Sequence, residues 1–210
     1  MSWLSRVLLK LIQGADQTPP APGAPTLALQ APLGSPATGT PPDFQEPLAG
    51  APDSSVIPDA ALTLVESYEG FSPTAYHDPV GVPTIGYGST RDWRIKGEPP
   101  VTMQTPEVTE EVAGQFVRWE LMEAYRTLKS SVGPKLTTGQ TVACLDFIYN
   151  LGGGAFRSST LLKMINAGNL SGAADEFVKW DHAGGQVMAG LLRRRVTERD
   201  LFNNLNGDRA

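Results

Sequence analysis

The stretch Val65-Glu66-Ser67-Tyr68-Glu69-Gly70-Phe71, continuing through Asp78-Pro79-Val80-Gly81 to Val82-Pro83-Thr84-Ile85-Gly86-Tyr87-Gly88-Ser89-Thr90, decides the fold. Ala61, Leu62, Leu64, Val65 and Tyr68 recur at helical spacing, and Gly70 is a helix stop signal. Two short strand-like runs follow, Thr74-Ala75-Tyr76 and Val82 to Tyr87, with the turn-forming Asp78-Pro79-Val80-Gly81 between them. The pattern predicts a helix, a hairpin turn and a returning strand. It places Glu69 at a helix end, Asp78 on the turn and Thr84 on the strand, three polar groups from three elements facing one cleft.

Two carboxyl groups on separate elements beside a cleft are what glycosidic bond cleavage requires. One must be protonated, to give its proton to the leaving oxygen. The other must be ionised, to activate water or stabilise an oxocarbenium-like transition state. Glu69 suits the acid role, because the negative end of a helix and the neighbouring Tyr68 and Phe71 disfavour its charged form. Asp78, on a polar turn, is expected to stay ionised, with Thr84 holding a water against it. The competing reading is a capped helix and a hairpin whose acids are merely solvated.

The same residues resemble the catalytic region of the phage-type (T4-like) lysozymes, the glycoside hydrolase family 24 enzymes of phage endolysins. Their signature is Glu, eight residues, Asp or Cys, five residues, Thr, and Glu69, Asp78 and Thr84 stand at that spacing. The flanks Glu69-Gly70-Phe71 and Thr84-Ile85-Gly86-Tyr87-Gly88 are also similar to the family's. The resemblance covers roughly residues 57–205. It implies catalytic residues Glu69, Asp78 and Thr84, no metal and no cofactor, peptidoglycan as substrate, and hydrolysis with inversion.

Composition narrows the partners. The chain has 210 residues and a formal net charge of −5, which gives no indication of nucleic acid binding. Many lysozymes are basic, so this balance is a departure, and groove contacts rather than long-range attraction are expected to hold an anionic wall polymer. Cys144 is the single cysteine, which excludes an intrachain disulfide, and it falls in the apolar run Val142-Ala143-Cys144-Leu145 as a buried small hydrophobe. A zinc site would need His77, His182 and Cys144 to converge without any short ligand spacing. His77 is expected on the cleft rim and His182 on a loop.

Residues 1–14 read as an amphipathic helix, with Trp3, Leu4, Val7, Leu8, Leu11 and Ile12 on one side and Arg6 and Lys10 opposite. The apolar run falls short of the about 20 residues a membrane span takes. Contact with a membrane surface and docking on a protein both remain open for it, with an uncleaved export signal as a third reading. Residues 15–56 read as a disordered linker, since ten of the chain's 18 prolines lie between Pro19 and Pro52 amid Ala, Gly, Thr and Ser. The remainder, 57–210, reads as the catalytic domain, opened by Pro58 and Asp59.

Further along, Thr105-Pro106-Glu107 predicts a helix start, with Val108, Val112, Phe116, Trp119, Met122 and Leu128 as its core face. Thr138 is expected to cap the next helix, running to Gly152-Gly153-Gly154. Two short helices are expected over about 159–167 and 171–180, with Ser171 capping the second, then a loop over 181–187 and a last helix from Leu191 to Leu205. The run Asp146 to Gly152, followed by Phe156-Arg157-Ser158-Ser159-Thr160-Leu161, also resembles the phage lysozymes, where the matching segment lines the sugar groove. Gly88 lets backbone come close to a sugar, and Tyr149, Asn150, Ser159 and Thr160 carry groups for hydroxyls and N-acetyl functions; a helix–helix turn with capping residues explains any one of them equally well. Gly190-Leu191-Leu192-Arg193-Arg194-Arg195, with Glu198 and Leu201, looks like the family's closing motif, in which one arginine pairs with the catalytic Glu or its neighbour. The register within Arg193 to Arg195 is open, and at most one or two face inward.

The expected fold is α+β: a small hairpin lobe, a mainly helical lobe and a cleft between them. The expected function is cleavage of the β-1,4 bond between N-acetylmuramic acid and N-acetylglucosamine by a monomeric endolysin. It would be made in the host cytoplasm and act in the periplasm to lyse the cell. Two alternatives stand beside it: a virion-associated or tethered wall-penetration lysozyme, and an inactive peptidoglycan-binding module.

Overall fold

The structure, a computed structural model, describes residues 54–78, 81–183 and 185–203. The amphipathic 1–14 segment and all but the end of the proposed linker lie outside the described residues. The described residues form six α-helices and two short antiparallel hairpins, an α+β arrangement.

Helix α1 (Asp59–Glu69) buries Ala61 and Val65 and ends at Gly70, as its periodicity predicts. Pro58 is its N-cap and Asp59 its first helical residue. Strand β1 (Ser72–His77) then pairs antiparallel with β2 (Pro83–Gly86), with Tyr76 opposite Thr84 and His77 opposite Pro83. The turn between them closes through Asp78 N to Val82 O at 3.0 Å and Gly81 N to Asp78 O at 2.7 Å.

Helix α2 (Glu110–Ser131) joins the two lobes. Its first turns, Ala113 and Phe116, pack with Ile85, Val101 and Val108 in the core of the hairpin lobe. Its later turns, Val117, Leu121, Ala124 and Leu128, enter the core of the helical lobe. The helix starts four residues later than the Thr105-Pro106-Glu107 signal predicts, and Thr109 is its N-cap. The reason is tertiary. Arg94 donates to the Pro106 and Glu107 carbonyls at 3.1 and 3.0 Å, and Val108 N donates to Pro73 O at 2.9 Å. Those carbonyl and amide groups are committed to the hairpin lobe and its loop before a helical ladder can use them.

Helix α3 (Thr138–Ser158) is the axis of the helical lobe, buried on every side from Val142 to Gly152. Its cap is Thr137 rather than Thr138, in a reciprocal capping box with Gln140. The helical conformation breaks at Gly152, where the sequence expects it, and a second helical segment continues across the kink. Gly152, at φ 85° and ψ 154°, takes a left-handed conformation that a side chain would resist, and the helix resumes to Ser158. Helix α4 (Thr160–Asn166) is capped by Ser159 and α5 (Leu170–Phe177) by Asn169 rather than Ser171, because the Asn169 side chain accepts from Gly172 N at 3.0 Å. A 3-10 turn (Val178–Trp180) follows. The segment expected as a loop holds a small hairpin, β3 (His182–Ala183) with β4 (Gln186–Val187). Helix α6 (Ala189–Phe202) closes the fold against α3.

Gly86 is where the hairpin meets α2. Its φ is +64°, and an added Cβ would stand 2.9 Å from the Ala113 Cβ. Gly86→Ala is expected to cost about 2–4 kcal/mol, from the left-handed backbone and the overpacking together. Urea unfolding of the variant checks this, and an unchanged midpoint would contradict the packing described.

Candidate active site

Glu69 is the last residue of α1, and its side chain is only 2% exposed. Its Oε1 accepts from Arg194 Nη1 at 2.6 Å. Arg194, on α6, is itself buried and presents its other edge to Asp146 on α3, with Nε to Oδ2 at 2.8 Å and Nη2 to Oδ1 at 2.7 Å. This two-pronged grip fixes the guanidinium plane and leaves Nη1 to face Glu69. The Tyr68 ring lies against the guanidinium at 5.2 Å, and the Tyr68 hydroxyl is 2.8 Å from that of Thr197. Of the three successive arginines, Arg194 and Arg195 point inward and Arg193 is exposed.

The two acids that Arg194 touches are driven in opposite directions. Burial raises the Glu69 pKa above the usual glutamate value; Arg194 opposes this, and the Asp146 and Glu120 charges add to the rise. Burial also works to raise Asp146, but Arg194 at hydrogen-bonding distance, helped by Glu198 and Arg195, holds it below the usual value. Burial thus shifts Glu69 toward its protonated form, while Arg194 favours the charged form of Asp146.

Asp78 and Thr84 converge from the two strands on Val82. Asp78 Oδ1 accepts from Val82 N at 2.7 Å, and the Thr84 hydroxyl donates to Val82 O at 3.0 Å. In the pleat, Asp78 lies opposite Val82 and Thr84 opposite Tyr76, so both side chains are on one face as diagonal neighbours. Both are buried, Asp78 at 3% and Thr84 at 0% exposure, so Asp78 sits on the expected turn but is covered there.

A family model described as Phage lysozyme matches residues 66–198, more than half of the chain and every residue of this constellation. The chain belongs to the phage lysozyme family. The endolysin of Bacillus phage B103 is 38% identical over 151 residues, 70% of this chain and 53% of that protein. The endolysin of Acyrthosiphon pisum secondary endosymbiont phage 1 is 35% identical over 152 residues, 70% of this chain and 98% of that protein. This chain therefore spans about half the length of the first relative and nearly all of the second. Among solved structures, a mutant of P22 lysozyme superposes with a TM-score of 0.62 at 33% identity, covering 70% of this chain and 97% of that one.

Within this phage lysozyme fold the other candidate residues have distinct places. Gly88, at φ 97°, follows β2 and is buried. The Tyr149 hydroxyl donates to Tyr87 O at 3.3 Å, tying α3 to the end of the hairpin, and it also bonds Glu120, the α2 acid that accepts from Trp93 Nε1 at 3.4 Å. Asn150, expected to face a sugar, is fully buried and accepts from Arg195 Nη2 at 3.0 Å. Ser159 is 3% exposed and spends its hydroxyl on capping α4, accepting from Leu162 N at 3.0 Å, while Thr160 is exposed. His77 and His182 are exposed on separate hairpins and Cys144 is buried in α3, so the three do not gather. No group of three or more His, Cys, Asp or Glu among the described residues could hold a metal ion.

Asp146 and Glu120 are site residues that sequence reasoning did not single out. A signal existed for both. Asp146 interrupts the apolar run of α3, and Glu120 lies on the core face of α2 between Val117 and Leu121. An acid on a buried face needs a partner, and the arginine run supplies the one for Asp146.

Proposed function

We propose that this chain is an endolysin that hydrolyses the β-1,4 bond between N-acetylmuramic acid and N-acetylglucosamine in bacterial peptidoglycan. The observation that carries the reading is the buried Glu69 carboxyl, raised toward its protonated form yet faced by Arg194. A carboxyl so placed keeps its proton until a leaving oxygen takes it, and the guanidinium then stabilises the carboxylate left behind. As the C1–O bond breaks, Glu69 transfers its proton to the departing oxygen and positive charge develops over C1 and the ring oxygen. Asp78 accepts a proton from the water that attacks C1 on the opposite sugar face, and Thr84 holds that water. Configuration at C1 inverts, a course that requires the two carboxyl groups to stand about 6.5–9.5 Å apart with the water between. Glu69 is left ionised and Asp78 protonated, and solvent restores both.

The same reading has the protein acting as a monomer on periplasmic peptidoglycan during phage lysis. Intact Glu69, Asp78 and Thr84 speak against a wall-binding module without activity. The described residues contain no helix long and apolar enough to cross a membrane. Residues 1–14 lie outside them, and surface contact of that segment with a membrane is a separate part of the proposal.

The test is product analysis on purified peptidoglycan. New reducing ends should be N-acetylmuramic acid, and proton NMR during the first minutes should show the α-anomer ahead of mutarotation. Reducing ends on N-acetylglucosamine, or free stem peptide with the glycan uncut, would refute the bond assigned. The β-anomer as first product would refute the water-activating role of Asp78.

A further inference from the structure

Beyond Glu69, Arg194 and Asp146 the buried polar cluster continues. Glu198, one helical turn after Arg194 on α6, is fully buried and accepts from Arg195 Nη2 at 2.6 Å through Oε1. Its Oε2 meets no N–H or hydroxyl donor. The remaining neighbour within hydrogen-bonding contact is the Asp146 side chain. Two carboxyl groups share such a contact only with a proton between them, and Asp146 is already the acceptor of both prongs of Arg194.

We infer that Glu198 is a positioning residue of the catalytic centre: as a neutral carboxyl it donates to Asp146, and through Asp146 it fixes the guanidinium that faces Glu69. The inference rests on Glu69 being the proton donor. The groups facing Glu198 are Arg194 and Arg195 on its own helix and Asp146 and Cys144 on α3. Tyr68 on α1 acts on Arg195. Burial holds the Glu198 carboxyl well above the usual range against the pull of Arg195. Charge balance gives the arrangement a purpose. With Glu198 neutral, two guanidiniums are set against the single Asp146 carboxylate, and the charge that appears on Glu69 when it gives up its proton completes the balance. With Glu198 ionised the cluster would already be neutral, and Glu69 would part with its proton less readily.

The full chain carrying Glu198→Gln or Glu198→Met, assayed on purified peptidoglycan across pH, tests this. Gln keeps an N–H donor toward Asp146 and an acceptor toward Arg195, whereas Met keeps neither. Met is expected to lower kcat at least tenfold with KM unchanged, and Gln to restore what Met removes, with the basic limb of the pH–rate profile where wild type has it. A Gln variant whose basic limb moves to lower pH would overturn the inference, because it would mean that an ionised carboxylate had been replaced. A Met variant with wild-type kcat would overturn it too. If Met does not fold, the wild-type-minus-Gln infrared difference at neutral pH decides: a protonated-carboxyl band supports the inference and its absence refutes it. That band does not depend on catalysis, so failure here is distinct from failure of the proposed function, which full activity in Glu69→Gln would reveal.

Discussion

Glu69→Gln is expected to lower the rate of wall clearing by about 10²–10⁴-fold, the contribution of a positioned general acid. The substituted amide would fill the same space and could still accept from Arg194 Nη1, but it has no acidic proton to give. The same substitution carries a stability signature of the burial of Glu69. The folded-state pKa of Glu69 is raised above its usual 4.5. The stability that Glu69 contributes is therefore fully present below the unfolded-state value and lost as pH rises through the folded-state value. Gln does not titrate, so the melting temperature of the variant should gain on wild type as pH rises from about 4.5 toward neutrality. Turbidity of permeabilised cells reads the first effect and calorimetry across pH the second. A Glu69→Gln protein that clears walls at the wild-type rate would remove the proposed mechanism. One that loses ground on wild type as pH rises would contradict the burial argument.

Arg194→Ala is expected to be the most destabilising change in the molecule. The guanidinium holds three carboxyl oxygens at 2.6–2.8 Å, and its loss strands Asp146 as a buried charge without its guanidinium. Removing one partner of such a pair costs about 3–5 kcal/mol. Arg194→Lys should recover little, because an ammonium cannot span the Asp146 fork and reach Glu69 in the same plane. Adding Asp146→Asn to Arg194→Ala should restore part of the loss, since the stranded charge is then gone. Urea unfolding of the singles and the double measures the coupling, and fully additive changes would mean that the pair is not the unit it looks to be.

The site was legible in the sequence to unequal depths. Glu69, Asp78 and Thr84 could be singled out because their spacing resembles that of the phage lysozymes, and local rules place each of them: helical spacing that ends at Gly70, a turn at Asp78, alternation along the returning strand. Of the three arginines, the sequence restricted how many face inward without saying which, since three consecutive helical positions span most of a turn. Asn150 and Ser159 carry groups that suit a sugar, yet one bonds Arg195 and the other caps a helix. A side chain's chemistry states what it can bond; burial decides what is left for it to bond.

By itself, then, the sequence determined the α+β class, the helix–hairpin order and the spacing of the two carboxyl groups, because periodicity, caps and turns act within about a dozen residues. The tertiary structure alone decided that α2 begins at Glu110, that a second helical segment follows the break at Gly152, and that Arg194 is the arginine joining Glu69 to Asp146. Those outcomes depend on contacts such as Arg194 with Asp146 and Glu69, 48 and 125 residues apart in the chain. Whether a carboxyl keeps its proton is set by what surrounds it after folding, and no local pattern in the sequence encodes that.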